Sequence, residues 1–71
     1  MIGDNIKFYR KKNQLTQDDI AEACNVTRQA VSKWENGESL PTVDNLYALS
    51  RLLHTSVDDI LIGEKERDDE P

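Results

Sequence analysis

The stretch Thr16-Gln17-Asp18-Asp19-Ile20-Ala21-Glu22-Ala23-Cys24-Asn25-Val26-Thr27-Arg28-Gln29-Ala30-Val31-Ser32-Lys33-Trp34-Glu35-Asn36 decides the fold, because it holds two short helical patterns around one tight turn. Its first four residues form a capping-box pattern, in which Thr16 and Asp19 can each accept from an end N–H left open by the other. A short helix starts there and runs through about Ala23, with Ile20 and Ala21 inward. Asn25 follows, the residue besides glycine that best tolerates a left-handed backbone, so the chain can turn sharply before Val26 plugs the turn. Thr27 is a second N-cap candidate, and Ala30, Val31 and Trp34 form the inward stripe of a helix ending at Asn36-Gly37.

At about 100° per residue, Thr27, Ala30, Val31 and Trp34 share one arc of that second helix. Gln29, Ser32, Lys33 and Asn36 occupy the opposite arc, and Arg28 joins them at the N-terminal turn. These side chains suit base edges: Arg or Lys donates to guanine O6 and N7, and Gln or Asn pairs with adenine N6 and N7. Two short helices joined by a three- or four-residue turn are helix-turn-helix geometry, and a major groove admits one such helix. An ordinary solvated helix face is the competing reading of the same residues.

Outward from this stretch the pattern stays helical. Ile2, Ile6 and Tyr9 lie on one face of a helix over about residues 2–12, which fades at Asn13-Gln14. Pro41 precedes Thr42, a third cap, and Val43, Leu46, Leu49 and Leu53 carry a fourth helix. A last helix begins at Ser56, with Asp58 and Asp59 favourable in its first turn. The expectation is an all-α domain of five helices over residues 1–63, without strand or repeat, followed by an acidic tail over 64–71 expected to be disordered.

Length and composition limit what such a chain can do. Seventy-one residues allow one domain. A core this small leaves no deep cleft, so no enzyme, cofactor or small-molecule site is expected. With 37% hydrophobic and 32% charged residues, and apolar runs of about three, no membrane span is expected. The N-terminus lacks a signal-peptide layout, which predicts a cytoplasmic location. Cys24 can make no internal disulfide, and with the single His54 it can build no zinc site. Cys24 reads as buried filler, Trp34 as a core residue rather than a base-stacking platform, and His54 as a cation near a helix C-terminus.

The net charge of −5 argues against a nucleic-acid partner until its distribution is considered. Residues 64–71 carry five acids and two bases, which leaves −2 on residues 1–63, and residues 1–36 carry six bases against five acids. The bases are concentrated in the half that holds the helix pair.

Leu15-Thr16-Gln17, then Val31-Ser32-Lys33-Trp34-Glu35-Asn36-Gly37, then Pro41 resemble the Cro/CI-type (XRE) family of bacterial and phage transcriptional regulators, over roughly residues 2–62. The resemblance implies a five-helix lambda-repressor-like domain that binds double-stranded operator DNA as a homodimer, with helix 27–36 in the major groove. Arg28, Gln29, Ser32 and Lys33 fall on the family's base-reading positions, with Thr27 beside them. Gln17 matches its phosphate-contacting glutamine, and Asn36 sits where backbone contacts are common. Arg10 and Glu35 match an ion pair that joins the first helix to the end of the recognition helix. Asn25 departs from the family's usual glycine, and Glu38 replaces a base common near the DNA backbone, which puts a phosphate contact from that loop in doubt. Leaving the recognition face free places the dimer contact at Leu53, Val57, Ile60 and Ile62 near the C-terminal end. The alternative is a protein-interaction module such as an antitoxin or antirepressor, with DNA binding secondary.

Overall fold

A computed structural model gives the structure of residues 1–63, and the tail expected over 64–71 lies outside the described residues. Five helices follow one another there: α1 Ile2–Lys12, α2 Gln17–Cys24, α3 Arg28–Asn36, α4 Val43–Leu52 and α5 Val57–Ile62. The starts of α2 to α5 are set by side-chain hydroxyls, while α1 begins at Met1 without a side-chain cap. Thr16, Thr27, Thr42 and Ser56 accept from the backbone N–H of Asp19, Ala30, Asn45 and Asp59 at 3.0, 3.1, 3.2 and 3.0 Å. At α2 the box closes, because the Thr16 N–H donates to Asp19 Oδ2 at 2.8 Å. Each cap satisfies an end donor and is worth about 1 kcal/mol.

The helix ends are set by the backbone. After α1, α2, α3 and α4 one residue turns left-handed: Gln14 (φ 59°), Asn25 (φ 58°), Gly37 (φ 80°) and His54 (φ 55°). The residue that follows then reaches five positions back, from Leu15 to Arg10, Val26 to Ala21, Glu38 to Lys33 and Thr55 to Ser50, at 2.8–3.0 Å. These are Schellman endings, which satisfy the last carbonyls of each helix. Leu15 and Val26 are thereby driven against the core.

That core draws on every helix: Ile6 and Tyr9, Ile20 and Cys24, Val31 and Trp34, Leu49, and Ile60, closed by Leu53 just past α4. α1 lies against α3 and α5, α2 against α3 and α4, and α4 against α5. Gly3 lets α1 approach α3 closely, since a Cβ there would run into the Trp34 carbonyl oxygen and come 2.8 Å from that of Glu35. Two asparagines, Asn5 on α1 and Asn13 just past its end, hold the C-terminal part of the fold: Asn5 Nδ2 donates to the Ile60 carbonyl at 2.7 Å and Asn13 Nδ2 to that of Leu53 at 3.1 Å.

Two readings need correction, one at Val43 and one at the dimer contact. Val43 does not face inward; at the first position of α4 it is 80% exposed. Leu53 and Ile60, expected at a dimer contact, are 1% and 0% exposed and complete the protomer's own core, with their carbonyls held by Asn13 and Asn5. No strand occurs among the described residues, and no helix there is long and apolar enough to cross a membrane.

Candidate nucleic-acid interface

The helix pair owes its angle to opposed demands on α3. Val31 and Trp34 are buried on one side, which fixes the roll of the helix, while Arg28, Gln29, Lys33 and Asn36 are exposed on the other and Ser32 is partly so. The structure therefore brings the amide, hydroxyl, guanidinium and ammonium groups expected to face DNA onto one surface. Thr27 stands at its edge, its hydroxyl oxygen accepting from Ala30 while its O–H stays available to donate. Asn36 Nδ2 lies 3.5 Å from Glu38 Oε2, long for a hydrogen bond, so the amide is only loosely restrained by that acid.

Beneath this surface is a charged node. Arg10 Nε donates to Glu35 Oε2 at 2.7 Å, Arg10 Nη2 to Glu35 Oε1 at 3.2 Å, and Arg10 Nη1 to the Leu15 carbonyl at 3.0 Å. The two side chains are 13% and 3% exposed. Three segments are thus tied together: α1, the start of the turn before α2, and the end of α3. The forked geometry supplies the multiple hydrogen bonds that a desolvated carboxylate needs.

Gln17 joins the same node, because its Nε2 donates to Glu35 Oε1 at 3.1 Å. The reading of Gln17 as a phosphate contact did not include this bond. A carboxylate this deeply buried calls for more than one donor, and that requirement was the only signal in the chain that could have pointed to a second partner. Gln17, Arg10 and Arg28 line one shallow notch together with Leu15, Thr16 and Asp18, so the start of α2 opens beside the start of α3.

Two titrating groups nearby are displaced from their ordinary values. The Asp19 carboxyl is lowered, first by the Thr16 backbone N–H and then by the Thr16 hydroxyl, both of which favour its charged form. Burial pushes the Cys24 thiol up, away from the thiolate that redox or metal chemistry needs. Among the described residues, no group of three or more metal-ligating side chains comes together.

Of the residues expected at a dimer contact, Val57 is half-buried and Ile62 is 49% exposed, and the neighbouring Leu61 is 42% exposed. His54 occupies the left-handed position after α4 with its side chain exposed.

A helix-turn-helix family model matches residues 6–60. The chain is 40% identical over 70 residues to the HTH-type transcriptional regulator DicA of Escherichia coli (strain K12), a match covering 99% of this chain and 52% of DicA. It is 36% identical over 64 residues to antitoxin PezA of Streptococcus pneumoniae, covering 90% of this chain and 40% of PezA. The chain thus spans about half the length of DicA and less of PezA. Among solved structures, the P22 c2 repressor in complex with synthetic operator 9T superposes with a TM-score of 0.84 at 36% identity, over 90% of this chain and 97% of that one.

Proposed function

Because this chain belongs to the helix-turn-helix family, of Cro/CI (XRE) type, we propose that it is a sequence-specific DNA-binding transcriptional regulator, acting as a repressor. In this reading it occupies a palindromic operator as a homodimer, with α3 of each protomer in a major groove. One observation carries the proposal. Arg28, Gln29 and Lys33 are exposed on a helix whose opposite face is locked by Val31 and Trp34, so donors and acceptors are held where base edges can be read. The likeness to a repressor solved on operator DNA supports the same reading.

Homodimerisation is proposed on Val57, Leu61 and Ile62, the apolar side chains of α5 that the core leaves partly or largely uncovered. A few side chains make a small contact, so the free protein dimerises weakly and the operator completes the association.

A mobility-shift series on pooled genomic fragments tests the proposal. Selected fragments are retained over bulk DNA, and affinity falls with salt at a log–log slope of about −0.9 per phosphate neutralised. Equal retention of all fragments without salt dependence favours a second reading, that of a protein-interaction module, which the likeness to antitoxin PezA supports.

A further inference from the structure

We infer that Glu35 is a positioning residue for DNA binding, because its carboxylate fixes which way the Gln17 side-chain amide points. The inference rests on the DNA-binding reading above and deepens it at one contact. Glu35 Oε1 accepts from Gln17 Nε2 at 3.1 Å while both of its oxygens are held by the Arg10 guanidinium. A carboxylate paired with arginine offers only acceptors, so the end of a primary amide turned toward it is the NH2 end. A flipped amide would set its oxygen against Glu35 and lose the bond.

The direction of the amide has an outward consequence. One Gln17 N–H and the amide oxygen remain for the notch shared with Arg10, Thr16, Asp18 and Arg28. The remaining N–H is a donor suited to a DNA phosphate. Without Glu35, a glutamine at the start of a helix has both amide orientations open to it and must be ordered by the DNA itself. With Glu35, the donor is oriented before DNA arrives. Phosphates are common to all sequences, so the gain is uniform across them and leaves base preference untouched. Glu35 acts through Gln17 and touches no DNA itself.

A double-mutant cycle read in DNA affinity tests this. Dissociation constants are measured for an enriched duplex and for a mixed-sequence duplex with the parent, Gln17→Ala, Glu35→Gln and the double variant. The temperature is kept where each retains the parent's helical signal. Gln17→Ala is expected to weaken both duplexes by the same factor, about ten- to a hundredfold, as loss of a hydrogen bond to a charged group implies. Glu35→Gln weakens both about threefold and has no further effect once Gln17 is alanine. Effects that multiply in the double variant overturn the inference, because they make Glu35 a fold residue acting independently of Gln17. If Glu35→Gln does not fold, the parent decides by nuclear magnetic resonance. One Gln17 side-chain amide proton protected from exchange with solvent in the free protein, with only the other shifting when duplex is added, is expected, and two protons that exchange equally fast overturn it. A parent chain that binds neither duplex removes the functional reading and this inference together, whereas binding with multiplying effects removes this inference alone.

Discussion

Among the described residues Glu35 is the buried charged residue, and the cost of its burial is met by hydrogen bonds from Arg10 and Gln17. Replacing Arg10 with methionine strands that charge and is expected to destabilise the domain by about 3–5 kcal/mol, the usual penalty for breaking a buried pair. Thermal unfolding checks it, and a melting temperature equal to the parent's would mean that water reaches Glu35. Gly3 makes a different demand, since the carbonyl oxygens of Trp34 and Glu35 that would meet its Cβ belong to rigid backbone. Gly3→Ala is therefore expected to cost about 1–3 kcal/mol, even though alanine is the better helix former. Neither the closeness of α1 to α3 nor the bond from Gln17 to Glu35 was legible in the chain, because both join residues far apart in sequence. The Arg10–Glu35 pairing came only with the family resemblance; residue spacing did not suggest it.

For the helices, starts were legible and ends only in part. A threonine or serine before a helix carries its own signal, since its hydroxyl competes for the first open N–H groups, and Thr16, Thr27 and Thr42 read correctly as caps. Asn25 and Gly37 were legible at helix ends for the same kind of local reason. Gln14 carries no local signal for a left-handed backbone and His54 only a weak one, yet both adopt it as Leu15 and Thr55 reach back to the carbonyls of Arg10 and Ser50. The left-handed cost for a residue with a Cβ is about 1–2 kcal/mol, part of which glycine returns as flexibility of the unfolded chain. Gln14→Gly is thus expected to stabilise by about 0.5–1 kcal/mol and raise the melting temperature by a few degrees. No change, or a fall, would mean that the Gln14 side chain contributes more than its backbone strain costs. The capping box of α2 adds a pH dependence. The native Asp19 carboxyl is lowered by Thr16, so its contribution is present above the ordinary aspartate value and is lost as pH falls through the lowered native one. Melting temperature should drop over that acid range, and Asp19→Asn should flatten the drop.

In the whole molecule, the division of labour follows which faces the core uses. The consecutive Ile60, Leu61 and Ile62 have no readable period in a six-residue helix, so the sequence shows that all three cannot be hidden but not that Ile60 is the one that fills the core. Ile62→Asp is expected to lower operator affinity while leaving the helical signal intact, and an unchanged affinity would place the dimer contact elsewhere. The recognition face needed no such tertiary knowledge, because Arg28, Gln29 and Lys33 lie opposite the Val31 and Trp34 stripe by helical period alone. The most direct measurement is selection from random duplexes with the parent and with Arg28→Ala. The parent should enrich a palindrome whose half-sites lie about one helical turn, roughly 34 Å, apart, and Arg28→Ala should relax one position in each half-site by about 1–3 kcal/mol. An unstructured pool, or a motif unchanged by Arg28→Ala, would contradict the placement of α3 as the element that reads DNA.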